Sequence, residues 1–154
     1  MPAYFFDSSA LVKRFAQEQG SAFVLSLLRP SAKNRLYAAR ITEVEVCAAL
    51  SRRRKGNTIS VAQAVKGIGR LRNDLSRRFT QVAISEAVIG EASRVAETLA
   101  LCGYDAVQLA AAMSANNERL TSGLFPLIIV SSDGELNDAA RAEGFGVEDP
   151  NNHP

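Results

Sequence analysis

Two uninterrupted apolar runs constrain this chain more than any other feature: Tyr4-Phe5-Phe6 near the start and Leu127-Ile128-Ile129-Val130 near the end. A strand with one wet face alternates apolar and polar residues. These runs do not alternate, which suits strands covered on both faces. Further strand-like segments fall at residues 36–39, 79–84 and 146–148. Helical patterns separate them, at 10–19 (closed by Gly20), 21–28, 42–55 (with Gly56 just past its end) and 60–77. Others follow at 85–101, 105–114 and 135–143. Strand and helix therefore alternate from end to end, which predicts an α/β domain with a mostly parallel sheet. No linker or repeat divides the chain, so residues 1–150 read as one domain and 151–154 as a loose, disordered tail.

At 154 residues and 47 % apolar, the chain can bury roughly 70 % of its unfolded surface without a staple. Its apolar runs are too short to cross a bilayer, and Asp7 interrupts any signal-peptide core. Cys47 and Cys102 lie in helix-like stretches and read as buried free thiols of a reducing cytoplasm. The one histidine, His153, is next to last. That removes Ser-His-Asp triads, Cys-His pairs, histidine-based nucleases and the usual zinc sites. Any chemistry here rests on carboxylates, hydroxyls, Lys or Arg. Net charge is only +2, but Arg52, Arg53, Arg54 and Lys55 form one basic run and Arg70, Arg72, Arg77 and Arg78 another. These suit an anionic polymer, or equally a solvated helix face, the first run complementing a helix C-terminus.

Four acids occupy informative positions. In an open parallel sheet, ligands collect at the carboxyl ends of the strands. Asp7 follows the first strand directly, Asp133 follows the strand at 127–130 after two serines, and Asp105 opens a helix. Glu45 falls on the helical stripe of Ile41, Val44 and Ala48, which aims it toward the sheet, with Glu43 on the other side. Two such charges about 4 Å apart repel by roughly 4 kcal/mol at an effective dielectric near 20. With no arginine at a fixed position nearby, a hard divalent cation is the natural counterion, and an all-oxygen set favours Mg²⁺ or Mn²⁺. Each acid also has a plainer reading. Asp7 could cap a helix, Asp105 could form a capping box with Gln108, Asp133 sits in a Ser-Asp-Gly-Glu helix start, and Glu45 could be half exposed.

Four motifs in order resemble the PIN-domain ribonucleases, especially the VapC toxins of bacterial toxin–antitoxin pairs. They are Tyr4 to Lys13 (YFFDSSALVK), Thr42 to Leu50 (TEVEVCAAL), Tyr104 to Ala112 (YDAVQLAAA) and Val130 to Leu136 (VSSDGEL). The likeness runs from about residue 3 to 150, ending on Ala139-Ala140, Gly144 and Asp149-Pro150. It implies a three-layer α/β/α sandwich around a mostly parallel sheet and Mg²⁺-dependent cleavage of single-stranded RNA or structured RNA loops, with Asp7, Glu45, Asp105 and Asp133 as catalytic metal ligands. Ser9 would steady Asp7, or simply start a helix. Some relatives carry a further aspartate where this chain has Glu135, which leaves a fifth ligand open. The resemblance also implies a homodimer and a small cognate antitoxin whose arginine can enter the acidic pocket. Three alternatives stand beside the toxin: a PIN nuclease of RNA processing, a non-catalytic RNA- or partner-binding module, and an aspartyl-phosphate protein using Asp7. The last would ordinarily place a second aspartate where Ser9 stands.

Overall fold

The computed structural model describes residues 1–153. Five strands, β1 (Ala3–Phe6), β2 (Arg35–Ala39), β3 (Phe79–Val82), β4 (Ile128–Val130) and β5 (Gly146–Glu148), form one sheet in the order β3-β2-β1-β4-β5. Every pairing is parallel. Among the described residues seven α-helices accompany them: α1 (Ser8–Leu11), α2 (Ser21–Leu28), α3 (Thr42–Lys55), α4 (Val61–Arg78), α5 (Glu86–Leu99), α6 (Gly103–Thr121) and α7 (Gly134–Ala142).

The strand order dictates the layers. From β1 the chain steps outward to β2 and β3, then returns across β1 to β4 and β5. Right-handed crossovers put connections running in opposite directions on opposite faces. Accordingly Phe6, Leu36 and Ala38 pack with Val24, Val46, Leu50, Leu71 and Leu75 of α2 to α4 on one face. Phe5 and Ile129 pack with Val88, Val95, Leu109 and Leu136 of α5 to α7 on the other. The result is a three-layer α/β/α sandwich. The reversal leaves a crevice between the carboxyl ends of β1 and β4, where such sheets bind ligands.

Several elements depart from the sequence pattern. The helix expected at 10–19 stops after α1 and a 3-10 turn at Val12–Arg14. Lys13 is buried, and its Nζ donates to the Gln19 carbonyl at 2.7 Å and to Asn151 Oδ1 at 3.0 Å. Six residues of helix would hold Gln19 about 9 Å along the axis from Lys13, so satisfying that ammonium requires the chain to turn back. The strand expected at 79–84 ends at Val82. The helix at 85–101 ends at Leu99, where Ala100 turns left-handed at φ 51°. The helix expected at 105–114 instead runs from Gly103 to Thr121. Its extra turns are held by tertiary bonds, the Leu127 N–H donating to Asn116 Oδ1 and Arg119 donating to the Phe125 carbonyl and the Tyr37 hydroxyl.

Residues 151–153, expected to be loose, are docked instead. Pro150–Asn152 form a 3-10 turn, Asn151 accepts from Lys13, and the His153 ring stacks on Phe23 at 3.8 Å. Pro154, the last residue of that expected tail, lies outside the described residues. Cys47 and Cys102 are free thiols, but neither is buried, and Cys102 is exposed. On α3 the buried stripe is Thr42, Val46 and Leu50, not the predicted Ile41, Val44 and Ala48, and Val44 is 66 % exposed. No helix among the described residues is long and apolar enough to cross a membrane.

Candidate active site

Asp7 stands where β1 ends, and the next residue starts α1. Its Oδ1 caps that helix by accepting the Ala10 N–H at 3.0 Å, and Ser9 Oγ donates to the same carboxylate at 2.8 Å. Ser131, at the end of β4, donates its Oγ to Asp7 Oδ2 at 3.0 Å. The Ser132 N–H donates to Ser9 Oγ at 2.9 Å and the Asp133 N–H to Ser131 Oγ at 3.0 Å, so hydroxyls lace the two strand ends together. Asp133 is the N-cap of α7, accepting the Leu136 N–H at 2.9 Å. Capping and site membership are thus compatible for Asp7 and Asp133, since each carboxylate has lone pairs left over.

Glu45 lies on the flank of α3 beside the buried stripe and is half-buried. Ser8 Oγ donates to one of its oxygens at 3.2 Å and Gln108 Nε2 to the other at 2.6 Å. Gln108 is 1 % exposed and also donates to Thr42 Oγ1, joining α6 to α3. The capping box between Asp105 and Gln108 therefore does not form: Cys102 is the N-cap, and the glutamine side chain serves Glu45. Asp105 accepts a bond from the Cys102 thiol at 3.0 Å.

Electrostatics tie these groups to one another. Asp7 is 3 % exposed, and burial pushes its pKa up to about 7, against the pull of its hydrogen bonds and with added repulsion from Asp105. Burial also raises Glu45, again with repulsion from Asp105. Asp105 itself is raised by burial first and then by the charges of Asp133 and Glu135. Asp105 is the hub of the repulsion. Among the described residues no Lys or Arg forms an ion pair with Asp7, Glu45, Asp105 or Asp133. Nor, among those residues, do three His, Cys, Asp or Glu side chains stand close enough to ligate one ion as they are placed. A hard cation held by one or two carboxylates and otherwise by water fits this set, and Mg²⁺ is commonly bound that way.

A cleft of about 580 Å³ opens beside Ser8, Ser9 and Glu45 and extends past Val44, Tyr104 and Arg52. Of the first basic run, Arg52 and Arg53 line it, while Arg54 and Lys55 do not. Arg53 is engaged by Glu18 at 2.9 Å. Of the second run, Arg72 pairs with Glu43 and Arg78 with Asp74. Sequence reasoning missed Ser8, Gln108 and Ser131 as parts of the site. For Ser131 the two serines ahead of Asp133 were a signal, whereas the bond from Gln108 to Glu45 joins residues 63 apart in the chain and left none.

The architecture is that of a PIN-like domain. The chain superposes on one from VapBC2 of Rickettsia felis bound to a DNA fragment from their promoter, with TM-score 0.63 and 14 % identity over 96 % of this chain and 98 % of that one. It superposes likewise on a toxin–antitoxin complex from Klebsiella pneumoniae, with TM-score 0.62 and 20 % identity over 96 % and 97 %. PAE2754 from Pyrobaculum aerophilum gives TM-score 0.66 at 20 % identity over 99 % and 86 %. What is shared at such identity is the fold. No protein-family model matches the sequence, and no curated protein does.

Proposed function

We propose that this protein is a Mg²⁺- or Mn²⁺-dependent endoribonuclease that cleaves RNA phosphodiester bonds and acts as the toxin of a toxin–antitoxin pair. One observation carries the reading: carboxylates from four separate segments near the switch in strand order act on one another's charge, and among the described residues no Lys or Arg pairs with them. Asp7, Glu45, Asp105 and Asp133 would hold one or two ions, each ion bound by one or two of these carboxylates and otherwise by water, and the charge of Glu135 reaches Asp105. When bound, a divalent ion supplies Lewis-acid activation of water and stabilises charge developing on phosphate. The chain's own groups do the rest. Ser9 and Ser131 fix the Asp7 carboxylate, Gln108 and Ser8 fix Glu45, and Arg52 offers the RNA backbone a cation at the cleft. The fold shared with a chain of the Klebsiella pneumoniae toxin–antitoxin complex supports a small antitoxin as partner, and a homodimer is part of the same reading.

Total RNA incubated with the protein should gain new ends in Mg²⁺ and none in EDTA, with Asp105→Asn folded but inactive. Induced expression should arrest growth, and a co-expressed antitoxin from a neighbouring gene should relieve it. A second reading, a non-catalytic binding module, is favoured by the absence of three acids within joint ligating range among the described residues. A parent protein that yields no new ends in Mg²⁺ would decide against the nuclease, and an Asp105→Asn protein that cleaves like the parent would remove Asp105 from its site.

A further inference from the structure

Tyr104 is unexplained by the acidic site. It directly precedes Asp105, is 65 % exposed, and lines the cleft beside Glu45 rather than the core. On α6 it lies four residues before Gln108, so both share one helix face, and Gln108 from that face reaches Glu45 at 2.6 Å. Val44, next to Glu45 on α3, is 66 % exposed and lines the same cleft. Two large apolar side chains thus sit in water within the cleft that leads to the carboxylates. Further along it stands Arg52, exposed and without an ion pair among the described residues.

We propose that this part of the cleft is a subsite for one unpaired nucleobase of single-stranded RNA, with the Tyr104 ring as its stacking platform, Val44 as a flanking apolar contact and Arg52 on an adjoining phosphate. The proposal rests on the nuclease reading for its choice of polymer and deepens it by naming what selects the strand. An exposed ring and an unpaired cation lining one cleft match the alternation of flat base and charged phosphate in a single strand. A base inside a duplex is already stacked on both faces and cannot reach the tyrosine. The subsite therefore discriminates by strandedness rather than by base identity, because every base has a π face.

The test is binding in EDTA at low salt, where cleavage is stopped, using fluorescein-labelled oligouridylate and oligoadenylate read by anisotropy on the full chain. Tyr104→Ala should bind both strands roughly five- to 150-fold more weakly, the range of one lost stacked base. Tyr104→Phe should stay within about twofold, since the ring face is kept. Arg52→Ala should reduce the slope of log affinity against log salt by about 1, and Tyr104→Ala should leave that slope unchanged. A duplex of the same length should compete poorly. Circular dichroism melts on each variant check that the fold is intact, as the exposure of Tyr104 leads one to expect. Wild-type affinity in Tyr104→Ala, equal loss in Tyr104→Phe, duplex binding as tight as single strand, or no RNA binding by the parent would each overturn the subsite. Cleavage in Mg²⁺ is scored separately on the same proteins. A protein that cleaves but ignores Tyr104 loses only the subsite, and one that binds through Tyr104 but never cleaves loses only the nuclease.

Discussion

At the residue scale, the site is an arrangement of like charges that burial makes costly and hydroxyls only partly relieve. Asp7 gives this a measurable consequence. Its folded pKa, about 7, lies above its ordinary value of 3.8, so between those values the folded state holds a proton that the unfolded chain has released. Stability from this group is full below about pH 4 and is lost as pH rises through about 7. We expect folding stability in EDTA to fall across that window by on the order of a few kcal/mol, read as a falling melting temperature. Asp7→Asn should flatten that portion of the profile while abolishing cleavage, because the amide oxygen can still accept the Ala10 N–H. Gln108 makes a second case, since its buried amide holds Glu45 and Thr42 together. Gln108→Ala should cost about 1–3 kcal/mol of stability. It should also weaken the Mg²⁺ half-saturation of cleavage roughly 10- to 100-fold, as loss of a group orienting a ligand typically does. An unchanged Mg²⁺ titration would limit Gln108 to a packing role.

At the element scale, local pattern and tertiary demand disagree in instructive places. The helical pattern at 10–19 is genuine, yet the buried Lys13 ammonium draws the Gln19 carbonyl and the C-terminal turn onto itself. Gly20 completes that reversal at φ +83°, where a Cβ would lie 2.5 Å from the Pro150 carbonyl oxygen. Gly20→Ala combines left-handed strain with a backbone clash. We expect a loss of at least about 1–2 kcal/mol, together with faster amide exchange at residues 151–153. Normal protection there would mean that the C-terminal turn docks independently of Gly20. On α3, the stripe predicted from Ile41, Val44 and Ala48 is rotated to Thr42, Val46 and Leu50. Small and mixed residues on that helix give a weak apolar moment, so periodicity alone did not fix which face is buried. Glu45, on the flank of that helix, is tied to the site by hydrogen bonds from Gln108 and Ser8.

At the scale of the whole molecule, the order β3-β2-β1-β4-β5 gathers segments that start at residues 3, 42, 103 and 128 around one crevice. An ion bound there stabilises the fold by mass action, about 2.7 kcal/mol at a hundred times its dissociation constant. Mg²⁺ should therefore raise the melting temperature of the parent protein, and Asp105→Asn, lacking the hub of the repulsion, should lose most of that shift. An equal shift in both proteins would place the ion elsewhere.

The sequence by itself determined the class of fold, because runs such as Tyr4-Phe5-Phe6 and Leu127 to Val130 cannot be left wet, and helices between parallel strands must cover them. It also marked Asp7 and Asp133 as strand-end residues, since the polar residues that stop an apolar run, Asp7 itself and Ser131-Ser132 ahead of Asp133, mark where the strand leaves the core. Tertiary structure alone decided that Gln108 serves Glu45 and not Asp105, that α6 continues to Thr121, that Lys13 lies buried beneath the C-terminal turn, and that Tyr104 stands in the cleft. Each of these depends on a hydrogen bond or a contact between residues distant in the chain. Local periodicity reports which face of a segment prefers burial and carries no information about which partner will be waiting there.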